Sequence, residues 1–234
     1  MNCRSGALLV AGMLAAVPAH AQWMSRTVDG IMGTRIYVEI WADDPAKGEA
    51  AIDAVMDEMR HIDETMSTYK PTSEVSKVNA LAAKQPVPIS LELFKLLGTA
   101  LEYSRITEGA FDITYASVGY MYDFRERKRP TEEQIAAALP AVNYRHVLLD
   151  PKTHSVRFSQ PGVRIDLGGI AKGYSVDCGI DVLKAIYRGS KVVFDVSAAT
   201  ESSLGIRSGI EAVIPVEIIV KQNDMLELRA GHIS

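Results

Sequence analysis

Apolar positions along this chain follow two rhythms that alternate with one another. From Thr34 onward, Ile36, Val38 and Ile40 face one way while Tyr37 and Glu39 face the other, a period-two pattern that predicts a half-buried strand. Ile52, Val55, Met56, Met59, Ile62 and Met66 then recur every three or four positions and predict an amphipathic helix packed on a sheet. Asp44-Pro45 supplies that helix with a cap and an N1 proline. A second helix is predicted from its cap at Ser90 to near Thr107, with Phe94, Leu97 and Leu101 inward. Thr131-x-x-Gln134 is a capping box for a short helix through Leu139. His146 to Leu149 and Ser155 to Phe158 flank Asp150-Pro151-Lys152-Thr153, a hairpin signal. Val163 to Leu167 reads as a short buried strand, Gly168-Gly169 as a tight turn, and Ile170 to about Tyr187 as a helix. Val192 to Val196 reads as a further buried strand, and Gln22 to Asp29 as a polar lead-in. Irregular alternation with one clear hairpin places the chain in the α+β class, a mixed sheet with packed helices.

Composition narrows the setting. Arg4, the apolar run Ala7 to Val17 and Ala19-His20-Ala21 have the form of a cleavable secretory signal over residues 1–21, implying a periplasmic or exported protein. That run is too short to span a bilayer, and no later stretch approaches the roughly 20 residues required, so no transmembrane segment is expected. Cys3 precedes the apolar run, which leaves Cys178 as the single cysteine of a mature chain and excludes an internal disulfide. A formal charge of −4 without a basic run argues against nucleic acid as a partner. The five histidines form no Ser-His-Asp set and no zinc spacing; His61, His146 and His154 read as surface or edge residues.

Three stretches carry candidate chemistry. A strand feeding Gly168-Gly169 and then a helix presents free backbone N–H groups to an anion, with Asp166 and Lys172 on either side of the turn. A lysine at a helix N-terminus opposes the helix dipole and is easier to explain if it faces phosphate oxygens. Thr65 to Asn79 is dense in hydroxyls suited to a loop and a capped turn, with Ser73, Ser76 and Asn79 as capping candidates. Within it, Tyr69 stands before a proline turn, where a ring either stacks on a ligand or covers a core edge. Gly109-Ala110-Phe111-Asp112 forms a turn with so little bulk that its backbone can approach whatever it faces.

Taken in order, Met32-Gly33-Thr34, Met66-Ser67-Thr68-Tyr69, Ser73 to Asn79, Gly109 to Asp112 and Asp166 to Tyr174 resemble the ApbE family of exported FAD:protein FMN transferases, over about Gly30 to Val196. The resemblance implies transfer of the FMN half of FAD to a threonine hydroxyl of an exported or membrane redox protein, with AMP leaving and Mg2+ assisting. It implies an FAD site built from Met32, Tyr69, Ala110, Phe111, Asp112, Asp166 and Lys172, with Gly169 contributing to the metal site. FAD hydrolysis to FMN and AMP, and flavin binding without catalysis, are the alternatives to transfer.

The resemblance divides the mature chain into an incomplete transferase domain over 22–196 and a divergent tail over 197–234. Family members continue from such a strand with Gly-Gly-Asp and, later, an Asp and a Thr that complete the metal site. Here the chain reads Ser197-Ala198-Ala199-Thr200-Glu201. Reading these triplets one base early permits Val-Gly-Gly-Asp-Arg, so a truncating frameshift near residue 196 is one expectation and genuine divergence, with Glu211 to Lys221 forming a replacement strand, the other. Either way the sheet lacks cover for its apolar surface and the metal site lacks carboxylate ligands, so weak or absent transferase activity is expected of the chain as it stands.

Overall fold

The computed structural model describes residues 22–42, 44–123, 126–186, 216–220 and 226–230. Strand β1 (Gln22–Ile31) pairs antiparallel with β2 (Thr34–Ala42), from Gln22 opposite Ala42 to Ile31 opposite Thr34. The expected polar lead-in is therefore a strand. Its buried row begins at Met24 and ends at Ile31, but Arg26 interrupts it, and this guanidinium is engaged by Glu49 and Asp53 on the first helix. The ribbon needs only one apolar row, so a charged residue tied to its covering helix does not break it.

Helix α1 (Pro45–Met66) starts where Asp44 accepts from Ala46 N at 2.9 Å and Lys47 N at 3.3 Å. All six residues of its expected stripe are buried. Gly48 lets α1 lie close on the ribbon: a Cβ there would sit 2.9 Å from that of Ala42. Helix α2 (Glu74–Leu81) is capped by Ser73, then come β3 (Val87–Pro88) and α3 (Leu91–Ile106), capped by Ser90. A 3-10 turn, Ile113–Tyr115, runs into α4 (Ala116–Gly119), and α5 (Glu132–Ala138) carries the capping box formed by Thr131 and Gln134. The expected hairpin is β4 (Val147–Asp150) with β5 (Ser155–Phe158), extended by β3 into a sheet of order β3-β5-β4. Helix α6 (Ala171–Ile186) follows, and β6 (Val216–Val220) pairs with β7 (Leu226–Ala230). The α+β class holds; the described sheets are small and every described pairing is antiparallel. Val192 to Val196, the Ser197 to Glu201 departure and the end of α6 at Tyr187 lie outside the described residues; β6 falls within the stretch where divergence places a strand.

Two hydrophobic clusters form. One joins the ribbon to Ile52, Val55, Met56 and Met59 of α1 and to Ile180 and Leu183 of α6. The other joins α2, α3 and the three-stranded sheet to Val163, Ile165 and Leu167, and takes in Ile62 and Met66 at the far end of α1. Helix α1 thus runs from one cluster into the other, and Met32 packs against both.

Val163 to Leu167 alternates in burial as expected but joins no ladder, which corrects the strand assignment. Side chains take the place of a neighbouring strand. Asn79 accepts from Ile165 N at 2.8 Å and donates to Ile165 O at 2.9 Å, and Ser117 Oγ accepts from Arg164 N at 3.0 Å. The amide of Asp166 donates to Ile113 O at 3.0 Å. Asn79, expected as a capping residue, instead clamps a segment 86 positions away. Replacing it by alanine strands both polar groups of Ile165 and should lower unfolding free energy by about 2 kcal/mol. Urea unfolding of Asn79→Ala checks this: the midpoint should fall with an unchanged slope, and a loss within ~0.5 kcal/mol would contradict the clamp.

Candidate functional site

Where the two clusters meet, a cleft of about 560 Å3 opens between the β1–β2 turn, the loop after α1, the Tyr115 turn and the start of α6. The β1–β2 turn is unusual. Met32 and Gly33 have φ of 52° and 66°, both left-handed, as a two-residue I′ hairpin turn requires. Methionine in that conformation costs roughly 1–2 kcal/mol, which asparagine or glycine would largely avoid. The side chain it places against both clusters and along the cleft offsets that strain.

The loop after α1 is pinned at each residue. Ser67 N donates to Asp63 O at 3.1 Å, while Ser67 O accepts from Ser73 Oγ at 2.6 Å and Ser67 Oγ accepts from Tyr69 N at 3.2 Å. Lys70 Nζ lies 2.7 Å from Asp63 Oδ2. A loop so held keeps Tyr69 92% exposed, which excludes the reading of that ring as cover for a core edge.

Asp166 stands at the floor. Its Oδ1 accepts from Gly168 N at 2.7 Å and its Oδ2 from Thr68 Oγ1 at 3.0 Å. Gly168 has no room for a side chain, since a Cβ would lie 2.9 Å from Asp166 Oδ1. In the first turn of α6, Ala171 N turns back to Leu167 O at 2.7 Å, and the amides of Lys172 and Gly173 find no acceptor among the described residues. Lys172 borders the cleft and makes no ion pair among the described residues. Its charge and the helix N-terminus add, giving this wall a positive potential.

Four expected site residues, Met32, Tyr69, Asp166 and Lys172, thus line one cleft. Ala110, Phe111 and Asp112 lie outside its lining. Ala110 is exposed, Phe111 meets Tyr103 edge-on at 6.4 Å, and Phe111 Cε2 would lie 3.3 Å from a Cβ on Gly169, so this turn abuts the glycine turn from the side. The Asp112 carboxylate is already engaged: Oδ1 accepts from Thr114 N at 2.8 Å and Thr114 Oγ1 at 2.6 Å, and Oδ2 from Tyr144 N at 2.8 Å.

Thr68, the Asp63–Lys70 pair and Tyr115 also line the cleft and escape the sequence reading. Nothing in the local pattern around Tyr115 marks it; its place depends on the fold bringing Asp166 alongside. Burial, and then the charge and hydrogen bonding of Asp166, push the Tyr115 hydroxyl up to about 12. Away from the cleft, Glu92 accepts from Tyr174 Oη at 3.0 Å and pairs with His61 Nε2 at 2.9 Å, which raises the imidazole. Ligating atoms of Glu58, Glu92 and Cys178 lie within 4.8 Å of one another there, and burial pushes the thiol up. His146 bonds Ser159 Oγ at 2.7 Å and His154 packs on Phe94, so neither enters the cleft.

The ApbE family model matches residues 32–197. A FAD:protein FMN transferase of Haemophilus influenzae is 31% identical over 183 residues, which are 74% of this chain and 53% of that protein. One from Klebsiella pneumoniae is 29% identical over 156 residues, 66% of this chain and 48% of that protein. Among solved structures, the ApbE protein of Thermotoga maritima aligns with a TM-score of 0.69 at 26% identity, covering 76% of this chain and 57% of that one. The apo flavinyl transferase ApbE of Pseudomonas stutzeri gives 0.66 at 26% identity, over 76% and 59%. The chain spans about half the length of the relatives it matches.

The Tyr115 environment has a measurable signature. The folded protein holds this proton more tightly than the unfolded chain, so stability is intact below pH 10 and falls as pH rises toward about 12. The difference between wild-type and Tyr115→Phe absorbance titrations should show a phenolate appearing near pH 12, shifted down in Asp166→Asn. A midpoint near pH 10 in the wild type would contradict the arrangement.

Proposed function

This chain belongs to the ApbE family, and from that membership we propose that it handles FAD in the cleft and moves the FMN half onto a threonine hydroxyl of an exported or membrane redox protein, with AMP as leaving group. The observation that supports this best is the convergence of Met32, Tyr69, Asp166 and Lys172 on one cleft from three separate parts of the chain. A dinucleotide with a large planar ring and a pyrophosphate needs an exposed aromatic face and a concentrated positive wall, and the cleft has both.

In this reading the Tyr69 ring stacks on the flavin, and Met32 supplies apolar contact beside it. Lys172 and the first-turn amides of α6 take the pyrophosphate oxygens, where charge builds as the acceptor oxygen bonds to phosphorus and the P–O bond to AMP breaks. Asp166, braced by Gly168 and Thr68, orients the ligand rather than neutralising it. Ala110, Phe111 and Asp112 flank the glycine turn and hold the adenosine end. Among these, Asp112 works through the backbone it braces, because its oxygens are already engaged.

Mg2+ belongs to the proposal as a companion of the pyrophosphate, with the Gly169 backbone as a protein ligand. Bound there, such an ion would offset charge on the phosphate oxygens. Magnesium takes near-octahedral oxygen ligands, commonly one or two carboxylates with water and phosphate. The cleft carboxylates Asp63 and Asp166 are both engaged, and the Glu58–Glu92–Cys178 group includes a thiol foreign to this ion. The described residues do not by themselves make a magnesium cage, so the work assigned here falls to side chains and amides. A leader over residues 1–21 would deliver the chain to the compartment of its acceptor.

Lys172→Ala should weaken FAD binding about tenfold or more while leaving riboflavin binding nearly unchanged, because only FAD carries the pyrophosphate. Tyr69→Ala should weaken both ligands. Isothermal titration with the two ligands measures this, and equal losses for Lys172→Ala on both would contradict its phosphate role. Product analysis with an acceptor peptide and magnesium tests the chemistry: AMP and threonine-linked FMN should appear in equal amounts. Free FMN with AMP would mean hydrolysis, and bound FAD without products would mean binding alone.

A further inference from the structure

Two residues past Lys172, the first turn of α6 is tied to a neighbouring helix. Tyr174 Oη donates to Glu92 Oε1 at 3.0 Å, and Glu92 Oε2 pairs with His61 Nε2 at 2.9 Å. Helices α1, α3 and α6 thus meet on one carboxylate. Glu92 is itself firmly placed, in the first turn of α3. There Ser90 Oγ accepts from Leu93 N at 3.2 Å, and Ser90 N donates to Glu74 Oε2 of α2 at 2.8 Å. Leu93, Leu96 and Leu97 then bury α3 in the cluster that also holds Val163 to Leu167.

The start of α6 is otherwise loosely built. It follows Gly168-Gly169 and contains Gly173, where a Cβ would meet nothing within 4 Å, so packing does not account for that glycine. Glycine inside a helix weakens it and frees its backbone. Ser175 Oγ stitches the turn from within by donating to Lys172 O at 2.7 Å, a bond that moves with the turn. Tyr174 reaches outside it. Its own amide donates to Ile170 O at 3.0 Å, directly after the unpaired amides of Lys172 and Gly173, so fixing its side chain fixes them.

We infer that Glu92 and Tyr174 are positioning residues for the pyrophosphate wall: their hydrogen bond holds the first turn of α6 where Lys172 and its neighbouring amides converge on the ligand. Neither residue lines the cleft. His61 occupies the second Glu92 oxygen and so leaves the first for Tyr174. The inference rests on the flavin reading above and adds a support behind its positive wall. A bond that merely held helices together would act on every ligand alike, whereas this one acts on the ligand that carries phosphate.

The test compares FAD with riboflavin, each titrated into the full chain, alongside thermal unfolding of each variant. Tyr174→Phe keeps the ring and removes the hydroxyl; it should weaken FAD about tenfold and leave riboflavin nearly unchanged. Glu92→Leu should do the same, and the double variant should lose no more than either, because the two act as one bond. Glu92→Gln retains an acceptor for Tyr174 and should restore most of the affinity. Without ligand, the Ala171 amide, bonded to Leu167 O, should exchange faster in Tyr174→Phe than in the wild type. Unchanged FAD affinity or unchanged Ala171 exchange in Tyr174→Phe, equal losses for both flavins, or losses that add in the double variant would overturn the inference and leave the flavin reading intact. A wild-type chain that ignores FAD would overturn both.

Discussion

An extended segment buried in one core with no strand beside it among the described residues must find partners for its amides and carbonyls elsewhere, and the site depends on how 163–167 does so. Leaving such groups unpaired costs on the order of 1–3 kcal/mol each. Asn79 from α2, Ser117 from α4 and the Ile113 carbonyl supply them, and each comes from an element in the second hydrophobic cluster or adjoining it. The three therefore fix the height and direction of Asp166 before any of its own side-chain contacts are counted. Gly168 then turns the chain so sharply that Asp166 accepts its amide, and α6 begins with Lys172 on the open side.

The other walls of the cleft are brought to that floor by devices that each cost something locally. Met32 occupies a left-handed conformation that methionine disfavours, in exchange for contact with both clusters. The Ser67–Lys70 loop orders several hydroxyls and an ion pair to hold one tyrosine ring in solvent. Lys172 sits where a helix dipole is already positive. Strain, ordered polar groups and a lysine without an ion pair among the described residues, gathered on one cleft, are what a site for a large anionic aromatic ligand would require.

Much of this was legible in the chain. The stripe of α1, the caps at Asp44, Ser73 and Ser90, the Thr131–Gln134 box and the β4–β5 hairpin follow from periodicity and capping chemistry that act within a few residues. Misreadings arose where the determining contact was distant. Arg26 hides the apolar row of β1 until Glu49 and Asp53 are seen on the helix that covers the ribbon, and 163–167 looks like a strand because side-chain partners impose the same alternation as a ladder. For the site, Met32, Tyr69, Asp166 and Lys172 line one cleft, whereas the Asp112 carboxylate is occupied by its own turn. Thr68 stands in one of the resembling stretches, but its part in holding Asp166 shows only once the fold brings the two together, and Tyr115 carries no sequence signal.

The central claim, that the cleft under Met32, Tyr69, Asp166 and Lys172 receives FAD, is tested most directly by amide hydrogen exchange with and without FAD. The account predicts slowed exchange confined to the Met32–Gly33 turn, the Ser67–Lys70 loop and the amides from Gly168 to Gly173. Protection elsewhere with these three segments unchanged, or no protection at saturating FAD, would contradict it.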